Sequence, residues 1–126
     1  MISVAQKQNG YMDATRTVGL PRDVEYQLFA RVTGKLNRGF RDDAAFPELV
    51  EALQENLSLW RTLALDVADA QNELPDQLRA QLFYLFEFTQ AHTPKVMRGE
   101  ADVSALVDIN MSIMRGLRKT SAEDQT

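Results

Sequence analysis

The chain has no cysteine and one histidine, His92. Disulfides and thiolate metal sites are therefore excluded, and most nucleophile–base pairs and common zinc sites lack the residues they need. The absence of cysteine fits a reducing compartment. No Glu-x-x-His pair is present, which removes the usual di-iron carboxylate bundle. The glycines are single and dispersed, so no phosphate-cradling loop is formed. No apolar run approaches the roughly 18–20 residues that a membrane span requires, and Met1 to Gln8 has no charged segment leading into an apolar one. A cytoplasmic protein without membrane insertion is expected. Basic excess is missing too: the net charge is -4 and the pI about 4.9, which weighs against general nucleic-acid binding.

What remains is an ordinary globular composition, with 44% hydrophobic and 25% charged residues in 126. That length is typical of one domain and sufficient for a helical core. Prolines punctuate the chain. Pro21, Pro47 and Pro75 stand where helices would begin, because a missing N–H costs least there. Residues 1–20 read as a flexible arm, with one turn near Tyr11 and Met12. Val24, Leu28, Val32 and Leu36, with Phe29 beside them, form one helical stripe. Gly39 is expected to stop that helix, and Gly34 to mark a close helix crossing. A charged loop, Phe40 to Ala45, follows. Leu49, Leu53, Leu57, Trp60, Ala64 and Val67 predict the core face of a second helix.

Leu74-Pro75-Asp76 opens a third helix with Leu78, Leu82, Leu85 and Phe86 on its main face. Phe83, Tyr84 and Phe88 fall elsewhere, so this helix is apolar nearly all round. Thr93-Pro94 is expected to kink or end it, with a further turn up to Gly99. Val103 to Leu117 supplies a fourth helix, capped by Asp102 or Ser104. Residues 119–126 read as a disordered tail. No useful run has the period of a strand. The sequence thus predicts an all-α, single-domain antiparallel bundle of about four helices over residues 21–118, flanked by arm and tail.

Candidate chemistry is sparse. His92 reads as a side chain bonded to a helix end. Asp42, Asp43, Asp66 and Asp69 read as solvated charge, so no catalytic, metal or cofactor site is expected. Arg31, Lys35 and Arg38 share a basic face interrupted by acidic neighbours, and direct RNA binding is not expected. The aromatic residues are more telling, because four in the six positions from Phe83 to Phe88 cannot all reach one core. Phe29, Trp60, Phe83, Tyr84, Phe86 and Phe88 are the candidate partner-binding residues. Asn56, Arg79, Asp108 and Asn110 fall on or near apolar faces, and Arg79 with Asp108 is the expected cross-helix polar pair.

The ordered segments Leu59-Trp60-Arg61-Thr62-Leu63, Asn72-Glu73-Leu74-Pro75-Asp76, Val96-Met97-Arg98-Gly99-Glu100 and Ile109-Asn110-Met111-Ser112-Ile113-Met114-Arg115-Gly116-Leu117 resemble the FlaF family of alphaproteobacterial flagellar biosynthesis regulators. Pro21-Arg22-Asp23 with Leu28-Phe29 is similar to that family's first helix, and the resemblance extends over residues 11–117. It implies a chaperone-like regulator that binds flagellin and promotes its synthesis and export, with FlbT as a second partner. The alternative it implies is a post-transcriptional regulator acting on flagellin messenger RNA, directly or through FlbT.

Overall fold

A computed structural model describes residues 22–41 and 46–124, with side chains over 26–39 and 46–116. The arm over 1–20, Pro21, the side chains of Asp23 to Glu25 and the loop over 42–45 lie outside the described residues. Four helices follow one another: α1 (Arg22–Arg41), α2 (Phe46–Ala68), α3 (Asp76–Met97) and α4 (Ser104–Asp124). They form an all-α bundle. α4 takes in most of the segment read as a tail, and residues 125–126 are not described.

Neighbouring helices run antiparallel, as short connections require. Contacts between α1 and α2 step in opposite directions along the two chains: Gly39 meets Leu49, Lys35 meets Glu55, and Phe29 meets Trp60. Close backbone packing joins α1 to α2, α2 to α3 and α1 to α4. α3 and α4 are consecutive yet share no comparable packing.

Gly39 acts differently from the expectation. α1 runs through it to Arg41, and a Cβ there would stand 2.9 Å from both Cα and Cβ of Leu49. The missing side chain lets the two backbones approach. At Gly34 a Cβ would meet only the Arg38 guanidinium, at 3.4 Å on the same helix, so the close crossing is at Gly39. Pro94 is also absorbed. α3 continues past it to Met97, because a proline one turn from the C-terminus removes one helical hydrogen bond and no more. The stop comes at Gly99, whose φ of 75° suits glycine. There Glu100 N–H donates to the Lys95 carbonyl at 2.8 Å and Gly99 N–H to that of Val96 at 3.0 Å, a Schellman closure. Arg98 and Glu100 pair across this turn at 2.9 Å. That hydrogen bond, and then the charge of Arg98, hold the Glu100 carboxyl below its ordinary pKa.

The core is divided. Leu36, Ala52, Leu53, Val96, Val103 and Leu106 fill one end of the bundle. Phe29, Trp60, Val67, Leu82 and Met114 fill the other. Burial of each large side chain contributes about 1.5–3 kcal/mol. Between the buried members of the clusters, every helix contributes a buried polar residue, and α3 two: Thr33, Asn56, Thr89 with Thr93, and Asn110. Each stands between its own helix's buried members of the two clusters. Trp60 Nε1–H donates to Asn110 Oδ1 at 2.9 Å, and Asn110 Nδ2–H donates to Asn56 Oδ1 at 2.8 Å. A one-turn slip of α4 against α2 would break both bonds, so the pair fixes register as well as filling space. The layer is incompletely satisfied. Thr33 Oγ1, Asn56 Nδ2 and Thr89 Oγ1 find no hydrogen-bond partner among the described residues.

Candidate functional site

α3 buries little of its apolar content. Its buried positions are Leu82, Thr89, Thr93 and Val96. They recur at helical spacing, so the inward stripe is half threonine. Thr93 Oγ1–H donates to the Thr89 carbonyl one turn earlier at 2.6 Å, which satisfies one hydroxyl within the helix itself. With threonines inside, the aromatic side chains are left to the flanks and the outside. Tyr84 is 65% exposed, Leu78 39% and Phe83 36%.

The four aromatic residues divide into two rows. Phe83 and Phe86 meet edge-to-face with centroids 5.7 Å apart, a favoured arrangement for aromatic quadrupoles. Phe86 also leans on the Trp60 cluster. On the other flank, Tyr84 and Phe88 stand one turn apart. Phe88 packs against the Leu53 cluster and stacks on His92, with centroids 5.0 Å apart and planes 19° from parallel. Each flank of α3 thus carries a half-buried ring, Phe86 or Phe88, beside an exposed one, Phe83 or Tyr84. Phe46, Leu65 and Met111 are exposed too, but they come from separate positions on α2 and α4. Single exposed apolar residues of that sort are normal.

His92 is tied down, but to the segment before α4 and not to the end of its own helix. Its Nε2 lies 2.8 Å from the Asp102 carbonyl. A carbonyl can only accept, so Nε2 carries the proton. Asp102 Oδ1 in turn accepts from Ser104 N–H at 2.7 Å, capping α4. His92 therefore braces the α3–α4 connection.

Two candidates from the sequence are core residues. Phe29 and Trp60 are buried and meet edge-to-face at 5.7 Å. Both lie on the inward stripes of α1 and α2, so neither faces solvent. The expected Arg79–Asp108 pair is replaced by another arrangement. Arg79 Nε–H donates to the Val67 carbonyl at 2.8 Å and its terminal N–H to that of Asp69 at 3.0 Å. Asp76 lies 3.5 Å away on the same helix, and Asp108 is exposed. The last carbonyls of α2 lack helical donors and carry the negative helix end, so a nearby guanidinium is drawn to them. Asn72 assists: Nδ2–H donates to the Asp66 carbonyl at 3.1 Å, and Oδ1 accepts from Leu74 N–H at 2.9 Å.

The remaining polar candidates resolve simply. Lys35 pairs with Glu55 at 2.9 Å and Arg31 approaches the same carboxylate at 3.8 Å, so this face is not a free cationic strip. Asp69 Oδ1 accepts from Gln71 N–H at 2.7 Å. Among the described residues no group of three or more His, Asp or Glu side chains is arranged to hold a metal ion. No described helix is long and apolar enough to cross a membrane.

Fold and surface together define a small helical-bundle protein that presents exposed apolar side chains on both flanks of one helix. The family is equally clear: the pattern described as flagellar protein FlaF matches residues 7–117, and the chain belongs to the FlaF family. No curated protein and no solved structure matches it.

Proposed function

We propose that this protein is a cytoplasmic, non-catalytic binding protein for flagellin that promotes flagellin synthesis and export. The observation that carries this reading is the exposure of Leu78, Phe83 and Tyr84 on α3, beside half-buried Phe86 and Phe88. Membership of a flagellar family supports the choice of partner. The chemistry is helix-in-groove recognition: an amphipathic segment lays its apolar face along this helix, and Tyr84 supplies both ring area and a polar tip. Flagellin's terminal segments are amphipathic, and covering them would prevent premature association. The pairing of Arg31 and Lys35 with Glu55 favours this reading over direct contact with messenger RNA.

Calorimetry with purified flagellin tests it. Full-length flagellin is expected to form a complex, and flagellin lacking its terminal helical segments is expected to form none. Absence of a complex with full-length flagellin, or equal binding of the truncated form, would overturn the reading.

A further inference from the structure

The outward side of α3 is as regular as its inward one. Ala80, Tyr84, Glu87, Ala91, Pro94 and Arg98 recur at alternating spacings of four and three, and all are exposed. They lie opposite the buried stripe of Leu82, Thr89, Thr93 and Val96. A four-three repeat is the seam along which two helices wrap on each other. Within the bundle α3 packs closely on α2 alone, which leaves that seam outermost.

We propose that the seam pairs with its own copy, so that two molecules associate through α3, antiparallel across a twofold axis. The pairing shares side chains with the flagellin reading and covers them with a second occupant.

A twofold interface has to be self-complementary, and α3 is so in charge, size and polarity. Glu73 and Asp76 against Arg79 leave the start of the helix at -1, and Lys95 and Arg98 against Glu100 leave its end at +1. An antiparallel copy sets each end against its opposite, whereas a parallel one sets like against like. Arg79 is turned to α2, bound to the Val67 and Asp69 carbonyls, while the Asp76 side chain is fully exposed.

With the axis midway between Tyr84 and Glu87, Ala80 of one helix faces Ala91 of the other. Two methyl groups in one layer let the axes approach to the near end of the usual range of about 8–10 Å. Tyr84 then faces Glu87 of the second copy, so each central layer sets a hydroxyl donor against a carboxylate acceptor. Sliding one copy by seven residues puts Glu87 against Ala91 or Gln77 instead and loses the small-to-small layer. A single helix face falls at the small end of interface sizes, so the dimer is expected to be weak and to dissociate on dilution.

Two measurements on the full chain test this, both without flagellin. In sedimentation the parent is expected to rise with concentration from the 14.3 kDa of one chain to twice that mass. The register is read by oxidation. The chain has no cysteine, so Ala80→Cys and Ala91→Cys each introduce one thiol, at an exposed position. Like positions on the two copies stand eleven residues apart in the proposed register, roughly 16 Å at about 1.5 Å each. Positions 80 and 91 of different copies share a layer. The two variants mixed are expected to form the mixed disulfide at least about tenfold faster than either dimerises alone, because pairing holds the thiols at an effective concentration of order mM. Ser58→Cys, exposed on α2, mixed with Ala80→Cys gives the background rate. A parent that keeps the mass of one chain at about 1 mM would overturn the proposal and leave the surface to an outside partner. So would a mixture that reacts no faster than its separate members. Either failure leaves the flagellin reading intact, and failure of flagellin to bind leaves the pairing intact.

Discussion

Helices α2 and α3 lie side by side, antiparallel and nearly equal in length, and they use their aromatic residues in opposite ways. α2 has its one exposed ring, Phe46, at its first position, and within the helix buries its tryptophan completely, with the indole N–H held by Asn110. α3 carries four aromatic residues, buries none of them fully, and turns Leu82, Thr89, Thr93 and Val96 inward instead. An aromatic residue serves the fold where its neighbours on the stripe are apolar. On α3, threonines occupy much of that stripe, and the rings become surface. The contrast separates residues that hold the bundle together from residues that leave it able to bind.

Substitutions that test this contrast rank by expected size. Trp60→Ala removes the largest fully buried side chain and its hydrogen bond, and should cost about 3–5 kcal/mol in urea unfolding; a cost below about 1 kcal/mol would mean that Trp60 does not organise the core. Asn110→Ala should follow at about 2–4 kcal/mol, because it leaves the Trp60 indole N–H and the Asn56 Oδ1 buried without these partners. If Asn110→Leu proved as stable as the parent, the polar layer would serve register alone. Gly39→Ala should cost about 1–3 kcal/mol by forcing α1 away from Leu49. Gly34→Ala is expected to be neutral or to stabilise by up to about 1 kcal/mol, since alanine is the better helix former. Reversal of that order by thermal melts would reject the assignment of the close approach. Smallest of all, Tyr84→Ser should leave stability within about 0.5 kcal/mol, as exposed positions do.

Much of the fold was legible before the structure. The stripes of α1 and α2 are almost entirely apolar, and period alone reveals which side of each is buried. Asn56 and Asn110 were visible as polar residues on apolar faces; their mutual bond was not, because spacing within one helix says nothing of the register between two. α3 was the least legible. When apolar residues surround a helix, period selects no face, and the short buried threonines carry no hydrophobic signal. Phe83 and Tyr84 stood out through sheer excess of aromatics, whereas Trp60 and Phe29 drew attention by type and proved to be interior. Glycine shows where a side chain is missing without showing what approaches, so sequence alone does not separate Gly34 from Gly39. For Arg79 the sequence displays the opposite charge of Asp108 but not the open carbonyls at the end of α2, which lie closer.

The most direct measurement is calorimetric titration of full-length flagellin into the parent chain and into the Phe83→Ser/Tyr84→Ser variant, with a thermal melt of each. If the outer face of α3 is the binding surface, the variant still melts in one transition, lowered by loss of the Phe83–Phe86 contact, and binds at least about thirtyfold more weakly, the loss expected of a central aromatic anchor worth about 2 kcal/mol. A variant that stays folded and binds flagellin just as tightly would contradict the account.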